Sequence, residues 1–189
     1  SQAIVADLVS RARAQMVCVP SGTRNHFAMD LGLDRADPLA ALDAFGEARL
    51  KTVDLARVNG EAFLNNVSMG VYGAVVQSAS YRERKVETTV DELPTLVENP
   101  PDLRFTGQDG PPHRTAHIVH VSNNPYLLDV RGAGGRPSLR TGELGIVTAE
   151  LGSAAAVTEM FARAAVGLLN SASRFNSWTA TRFEVDSDE

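Results

Sequence analysis

The segment from Val17 to Gly32 contains residue types that could bind a phosphate group. Residues 16–19 form an apolar and partly β-branched run, which predicts a buried strand. Pro20 ends this strand because proline cannot donate a hydrogen bond to a β-ladder. Residues 21–23 (Ser-Gly-Thr) then form a tight loop in which backbone N–H groups can point outward. The pattern indicates a strand that leads into a loop able to hold an anion.

A short helix is predicted directly after this loop. Asn25 is a suitable N-cap for a helix over residues 26–31, and Gly32 is a suitable stop. The free N–H groups and the positive dipole end of such a helix attract phosphate. An ordinary turn between a strand and a capped helix has the same pattern, so both interpretations remain open at this point.

The residues Pro20-Ser-Gly-Thr-Arg-Asn-His-Phe-Ala-Met-Asp-Leu-Gly32 resemble the P-x-G-T-x-N-D-F-A-x-x-L-G segment of the diacylglycerol kinase catalytic domain family. This family includes bacterial lipid kinases and sphingosine kinases and shares the general fold of NAD kinases. Its segment is part of the ATP site. The resemblance therefore implies that Gly22, Thr23 and Asn25 contact ATP, which is used together with Mg²⁺. His26 departs from the family pattern, which usually has Asp there.

A second block, residues 53–70, resembles the V-D-L…N-G…F-x-N-x-x-S-x-G segment that opens the all-β domain of the family. A third block, Ser122-Asn-Asn-Pro-Tyr126, resembles the family's A-N-x-x-Y segment. Together these blocks imply a substrate cleft between the domains, shaped by Asn65, Asn66, Ser68, Gly70 and Asn123. The asparagine side chains could equally satisfy backbone groups at the ends of strands.

Residues 140–145 stand where many family members carry D-D-G-x-L-D, whose acids bind a structural Mg²⁺. The three Asp positions of that motif align with Arg140, Thr141 and Gly145. Magnesium requires hard oxygen ligands, usually carboxylates. We therefore predict that the structural magnesium site is missing, and the spacing of the histidines indicates no other metal site.

Two further family motifs, G-G-D-G-T and D-G-E, do not occur in the 189 residues. In the family the first precedes the segment that corresponds to residue 1, and the second carries the general base beyond the position of Glu189. The hypothesis is that the sequence is part of a longer lipid kinase and is inactive on its own.

The composition narrows the class of protein. The net charge is −5, so a nucleic-acid partner is not expected. With 43% apolar residues the chain can build a real core, and no apolar run is long enough to cross a membrane. The sequence does not open with the basic and apolar pattern of a secretion signal. The absence of cysteine pairs favours a cytoplasmic location. The single Cys18 is predicted to be a buried small hydrophobe and not a nucleophile.

The remaining sequence patterns predict the secondary-structure elements. Helices are predicted over 1–14, 39–46, 81–98 and 154–169. Strands are predicted over 103–105, 117–122 and 174–185. A hairpin is predicted around Asn59-Gly60 and a surface loop over 131–137. In the first helix the apolar face is expected to contain Ile4, Val5, Leu8 and Val9. The fold class is α+β. Residues 1–48 are the tail of an α/β nucleotide-binding domain, and residues 49–189 are an antiparallel β-sandwich with covering helices.

The function implied by the resemblance is ATP-dependent phosphorylation of a lipid hydroxyl, most directly that of diacylglycerol to give phosphatidate in phospholipid metabolism. The sandwich would supply the lipid-facing cleft, and peripheral contact with the inner face of the membrane is expected. A related kinase acting on a sphingoid lipid or on NAD is one alternative. A non-catalytic lipid- or nucleotide-binding module is another, in which exposed strand edges pair to form a homodimer.

Overall fold

The computed structural model describes residues 2–22, 25–46, 48–70, 103–105, 114–127, 135–150 and 175–187. The helices predicted over 81–98 and 154–169 lie outside these ranges, as does Thr23. Within the described residues, none of the helices combines the length and apolarity needed to cross a bilayer.

Among the described residues, the helical elements lie between residues 2 and 45: α1 at Gln2–Ala12, α2 at His26–Asp30 and a 3-10 helix at Pro38–Phe45. The prediction for α1 is confirmed in position but wrong in its buried face. Ala6 is buried, whereas Ile4 and Leu8 are 67% and 61% exposed. The small Ala3 and Ala6 side chains form the contact with the neighbouring Met16–Cys18 segment, so the larger apolar residues face outward.

The strand predicted over residues 16–19 is not formed. Residues 14–20 have no regular secondary structure, although Cys18 and Pro20 are buried. A strand requires a neighbouring strand to complete its hydrogen bonds, and no described strand pairs with this segment. Sequence composition alone could not show this, because apolar β-branched residues are also suitable for a buried extended segment.

The end of α2 and the start of the 3-10 helix agree with the predictions. Gly32 has a φ of +86°, and its N–H donates to the Met29 carbonyl at 2.9 Å, which ends α2. The 3-10 helix begins with Pro38, and the Asp37 side chain accepts a hydrogen bond from the Ala40 N–H at 3.2 Å.

The predicted hairpin is confirmed and consists of β1 at Ala56–Val58 and β2 at Glu61–Phe63. Asn59 and Gly60 both have positive φ, at 49° and 90°, as a type I′ turn requires. The strands are shorter than the sequence pattern indicates.

Two antiparallel sheets follow. The main sheet has the order β3-β6-β7-β8, with β3 at Asn66–Gly70, β6 at Ile118–Asn123, β7 at Leu144–Ala149 and β8 at Phe175–Ala180. The small sheet has the order β5-β4-β9, with β4 at Leu103–Phe105, β5 at Arg114–Ala116 and β9 at Val185–Ser187.

The single long strand predicted over 174–185 is wrong. Residues 181–184 are not part of a strand and separate two shorter strands. Of these, β8 pairs with β7 in the main sheet and β9 pairs with β4 in the small sheet. Ala180 lies opposite Leu144, and Val185 lies opposite Phe105. The alternation is interrupted there, because Thr181 and Arg182 are both polar. Trp178 and Ala180 face the core in β8, whereas Phe183 and Val185 do so after the interruption, so the inward positions change from even to odd residue numbers.

The two sheets share one core, as expected for a sandwich. Phe105 of the small sheet stacks on Trp178 of the main sheet, with ring centroids 5.7 Å apart, and Phe183 lies against both rings. Val119 and Ile146 in the centre of the main sheet are 0% and 1% exposed. Helices together with antiparallel sheets confirm the α+β class.

A second apolar cluster joins the helical part to the sheets. Its buried members are Ala6, Cys18, Phe27, Ala28 and Leu64, with Val53, Leu55 and Leu139 packed against them. This cluster fixes the positions of Met16, Cys18 and α2 relative to the start of β3.

Candidate functional site

A groove of about 800 Å³, here called the loop groove, lies between the start of α1, the segment 16–22 and the end of β2. Its size is in the range typical of small-molecule sites. Four residues predicted for the site from sequence line it together: Gly22, Asn25, Asn65 and Asn66. The fold therefore brings the predicted ATP segment and part of the predicted substrate cleft to one place.

Asn25 builds the loop and does not cap α2. Its Oδ1 accepts a hydrogen bond from the Gly22 N–H at 2.8 Å, and its Nδ2 donates to the Pro20 carbonyl at 3.0 Å. Asn25 has a left-handed backbone (φ 49°), and its side chain makes no capping bond. Asn25 thus occupies the predicted N-cap position of α2, but the capping hydrogen bond expected of its side chain is not formed. The side chain instead closes the turn that begins at Pro20.

The outward N–H groups predicted for the loop are likewise not all available. The Ser21 N–H donates to the Val19 carbonyl at 2.9 Å, and the Gly22 N–H is bound by Asn25. Both donors are used to hold the loop in shape. The loop groove is thus preformed by its own hydrogen bonds, which lowers the cost of ordering it around a ligand.

Cys18 lies in the wall of the loop groove with 7% of its surface exposed, which confirms that it is buried. The Gln2 side-chain amide donates to its Sγ at 3.2 Å. Burial raises the pKa of the Cys18 thiol, so the thiol form is favoured at neutral pH and the residue is a poor nucleophile.

A second cavity of about 490 Å³, here called the sheet cleft, lies on the face of the main sheet that points away from the core. His120, Tyr126 and Val147 are among its lining residues. Ser68, predicted for the substrate cleft, is 2.8 Å from His120 Nδ1 through its Oγ. Burial lowers the pKa of His120, so its ring is neutral at pH 7. The floor of the sheet cleft is thus polar but uncharged.

The two cavities meet. His26 and Asn66 line both the loop groove and the sheet cleft. His26 is also the position at which the sequence departs from the family pattern. A ligand in the loop groove and a second ligand in the sheet cleft would therefore approach each other at these two side chains.

Three predicted site residues line neither of these cavities: Ser68, which contacts His120, and Gly70 and Asn123. Gly70 ends β3 with a φ of +77°, and a Cβ there would lie 2.1 Å from the His117 carbonyl oxygen. Asn123 is buried and donates through Nδ2 to the carbonyls of Asp54 and Leu64, at 2.8 and 3.3 Å. Asn123 thus satisfies backbone groups at a strand end, which was the structural alternative.

The residues in place of the family's magnesium ligands do not fit the ion. Arg140 is a cation, and Gly145 has no side chain. The Thr141 Oγ1 accepts a hydrogen bond from Asn124 Nδ2 at 3.0 Å, and that amide also donates to the Asp54 carboxylate at 2.7 Å. Across the described ranges, no cluster of three His, Cys, Asp or Glu side chains could hold a metal.

Sequence reasoning missed Arg136. The loop over 131–137 was predicted to lie on the surface, but the Arg136 side chain is fully buried and forms an ion pair with Asp30 at 2.6 Å. Its Nη2 also donates to Asn65 Oδ1 at 3.0 Å, in the wall of the loop groove. A glycine-rich sequence gives no signal for such a buried arginine.

Comparison with known proteins shows which sequences and solved structures this chain resembles. Residues 2–58 match the sequence profile described as the diacylglycerol kinase catalytic domain. None of the curated proteins matches the chain.

Three solved structures from Bacillus anthracis str. Sterne share the fold, with TM-scores of 0.65, 0.62 and 0.57. Each is 21% identical to this chain and covers 90% of it. Two are named as provisional diacylglycerol kinases and one as a diacylglycerol kinase. The chain spans 57–58% of the length of these proteins. Residues 2–58 are therefore similar to the diacylglycerol kinase catalytic domain, and the chain has the α+β fold of these three structures.

Proposed function

We propose that the protein is part of an ATP-dependent lipid kinase, in which the loop groove binds MgATP and the sheet cleft binds a lipid alcohol. The observation that carries the proposal is the junction of the two cavities at His26 and Asn66. A phosphoryl donor and its acceptor must meet in line, and the geometry provides one meeting point. The loop groove is built from the segment that resembles the family's ATP site.

In the loop groove, the roles follow from the chemistry of the lining. Gly22 allows close approach of the nucleotide to the backbone, and Asn25 holds the loop that carries it. Asn65 and Asn66 were predicted for the substrate cleft. Because both line the loop groove, we propose instead that their amides form hydrogen bonds with the base or ribose. Thr23 is proposed as a further phosphate contact on the basis of the family resemblance. Mg²⁺ arrives with the nucleotide and neutralises charge on its phosphates.

In the sheet cleft, the neutral His120 and the ring of Tyr126 offer hydrogen bonds and apolar surface together. This combination suits the glycerol end of a neutral lipid, and diacylglycerol is the proposed substrate, with phosphatidate as the product. Phosphoryl transfer depends chiefly on positioning and charge stabilisation. A general base within reach of the lipid hydroxyl is also needed. Because neither G-G-D-G-T nor D-G-E occurs in the sequence, we propose that this chain alone does not transfer phosphate.

The wider proposals follow from the same assignment. Residues 1–48 form the nucleotide-side unit and residues 49–189 the sandwich unit, and the apolar cluster around Leu64 is their contact. A kinase of this kind acts in the cytoplasm, in peripheral contact with the inner face of the membrane, where its lipid substrate lies. A homodimer formed through sheet edges remains part of the proposal.

The first test is calorimetric binding of MgATP to this chain. Replacing Asn66 with Ala should weaken binding about tenfold, because a groove hydrogen bond is lost. Asn59→Gly is the matched control, since it removes an asparagine side chain from a turn outside both cavities and glycine suits its positive φ. Equal affinity of wild type and Asn66→Ala would contradict the assignment of the groove.

The second test is transfer of labelled phosphate from MgATP to diacylglycerol in mixed micelles. This chain is compared with a longer protein that includes both missing motifs. Transfer by the longer protein alone supports the proposal in full. Transfer by this chain alone would refute its predicted inactivity. If neither protein phosphorylates diacylglycerol, a sphingoid lipid or NAD, a non-catalytic binding module is the better assignment.

A further inference from the structure

The Arg136 guanidinium is buried among acceptors that use all of its N–H groups. Its Nε and Nη2 donate to Asp30 Oδ2 at 2.8 and 2.6 Å, and Nη2 also donates to Asn65 Oδ1 at 3.0 Å. Its Nη1 donates to the carbonyls of Leu64 and Asn123 at 2.5 and 2.8 Å. An arginine has five such donors, and here each has a partner. The side chain has no exposed surface.

These partners belong to separate parts of the site. Asp30 is the last residue of α2, the helix that follows Asn25 and its loop. Asn65 lines the loop groove. On its other side, the Arg136 Cζ lies 5.4 Å from the centre of the Tyr126 ring, which lines the sheet cleft. One side chain therefore contacts the helix behind the loop, the wall of the groove and the wall of the cleft.

Stability alone is a poor explanation for this arrangement. Removing two charges from water is costly, and a well-packed apolar pair of similar volume is often as stable as a buried ion pair. What the ion pair adds is direction, because a planar guanidinium with five fixed donors accepts few arrangements of its partners. Its contribution is thus the fixed separation between α2 and Asn65.

We propose that Arg136 is a positioning residue for the nucleotide: paired with Asp30, it holds α2 and the Asn65 side chain at the separation that the loop groove requires. This inference rests on the proposed function of that groove. Lysine cannot replace Arg136, because a single ammonium group cannot reach Asp30, Asn65 and two carbonyls at once.

The decisive variant replaces the pair with apolar residues, as Arg136→Met combined with Asp30→Leu. We expect the variant to fold with a melting temperature lowered by several degrees, because the buried carbonyls of Leu64 and Asn123 lose a donor. Its affinity for MgATP, measured by calorimetry, should fall about tenfold or more, since small misplacements of binding groups are costly. Amide hydrogen exchange over residues 25–31 should rise about tenfold, because local opening becomes easier.

The matched control is Arg182→Met, which makes the same substitution at an arginine whose side chain is 83% exposed and paired with Glu184. It should leave melting temperature, affinity and exchange unchanged. Arg136→Lys keeps the charge and should still weaken MgATP binding about tenfold. Wild-type affinity in Arg136→Lys would overturn the proposal.

The proposal is also overturned if the double variant keeps both wild-type affinity and wild-type exchange. If the double variant does not fold, Arg136→Lys decides. If wild type itself does not bind MgATP, the proposed function fails. Exchange over residues 25–31 then still decides whether Arg136 fixes α2.

Discussion

His120 shows how burial sets the charge of a single residue. Its ring lies in the sheet cleft, with Nδ1 2.8 Å from the Ser68 Oγ and the Tyr126 ring centroid 6.2 Å away. Removal from water disfavours the imidazolium form and lowers its pKa. A neutral histidine beside a hydroxyl is suited to bind an uncharged alcohol.

The pH dependence of stability follows from this pKa. The unfolded chain protonates His120 at about pH 6.5, whereas the folded protein does so only at lower pH. Between these two pH values the unfolded state binds more protons than the folded state. The free energy of unfolding should therefore fall as the pH decreases from 7 to 5. In His120→Gln this fall should be smaller. Urea unfolding at pH 7, 6 and 5 measures it, and equal slopes in both proteins would contradict the prediction.

Some residues that line or support the loop groove could be predicted from sequence, and others could not. Asn25, Asn65 and Asn66 belong to motifs of local sequence, and the fold brings them together in the loop groove. Arg136 pairs with Asp30, which lies in a distant part of the sequence, and both residue types are usually on the surface. No local pattern can indicate a pair of this kind.

Among the elements, β3 ends in a conformation that requires glycine. Gly70 has a φ of +77° opposite Ile118, and the His117 carbonyl occupies the space of a side chain. This close approach lets β3 pair with β6 along its whole length. The structural role of Gly70 therefore does not depend on any ligand.

Gly70→Ala should destabilise the protein by about 3 kcal/mol, through left-handed strain combined with overpacking against the backbone. Gly142→Ala is the matched control, because Gly142 has a φ of +71° but nothing within 4 Å of its missing Cβ. It should cost only about 1 kcal/mol. Urea unfolding measures both values. Equal losses of unfolding free energy in the two variants would show that the contact with the His117 carbonyl adds nothing to the cost of the substitution.

An element could be predicted from sequence when the residues that determine it are adjacent in the chain. The hairpin at Asn59-Gly60 follows from two adjacent residues with positive φ, so its position was found from sequence. The segment 16–19 and the run 174–185 have strand composition, but their pairing depends on distant neighbours. The first finds no partner strand in the described part of the chain, and the second is divided between two sheets.

For the molecule as a whole, the cluster around Leu64 joins the helical part to the sheets. Leu64 is 5% exposed and packs with residues of α1, α2 and the segment between them. Its carbonyl also accepts hydrogen bonds from Arg136 and Asn123. The apolar and polar connections between the two parts thus converge at the end of β2.

Leu64→Ala should lower the free energy of unfolding by about 3 kcal/mol, because it leaves a cavity in a packed cluster. Leu127→Ala is the control, since that leucine is 43% exposed and should contribute less than about 0.5 kcal/mol. Fluorescence of Trp178, which lies in the other core, reports the transition. A single transition that moves with Leu64→Ala shows that the two parts unfold together. An unchanged Trp178 transition would mean that they are independent.

The division of the last strands between two sheets has a consequence for synthesis of the protein. One edge of β4 is paired by β9, at residues 185–187, so during synthesis it stays open at least until these residues have left the ribosome. Pairing across such a long separation in sequence is slow. Until it happens, an unpaired strand edge with buried-type residues Leu103 and Phe105 is exposed to other chains. Low temperature and a low concentration of newly made chains during expression should therefore favour recovery of the native protein over aggregates.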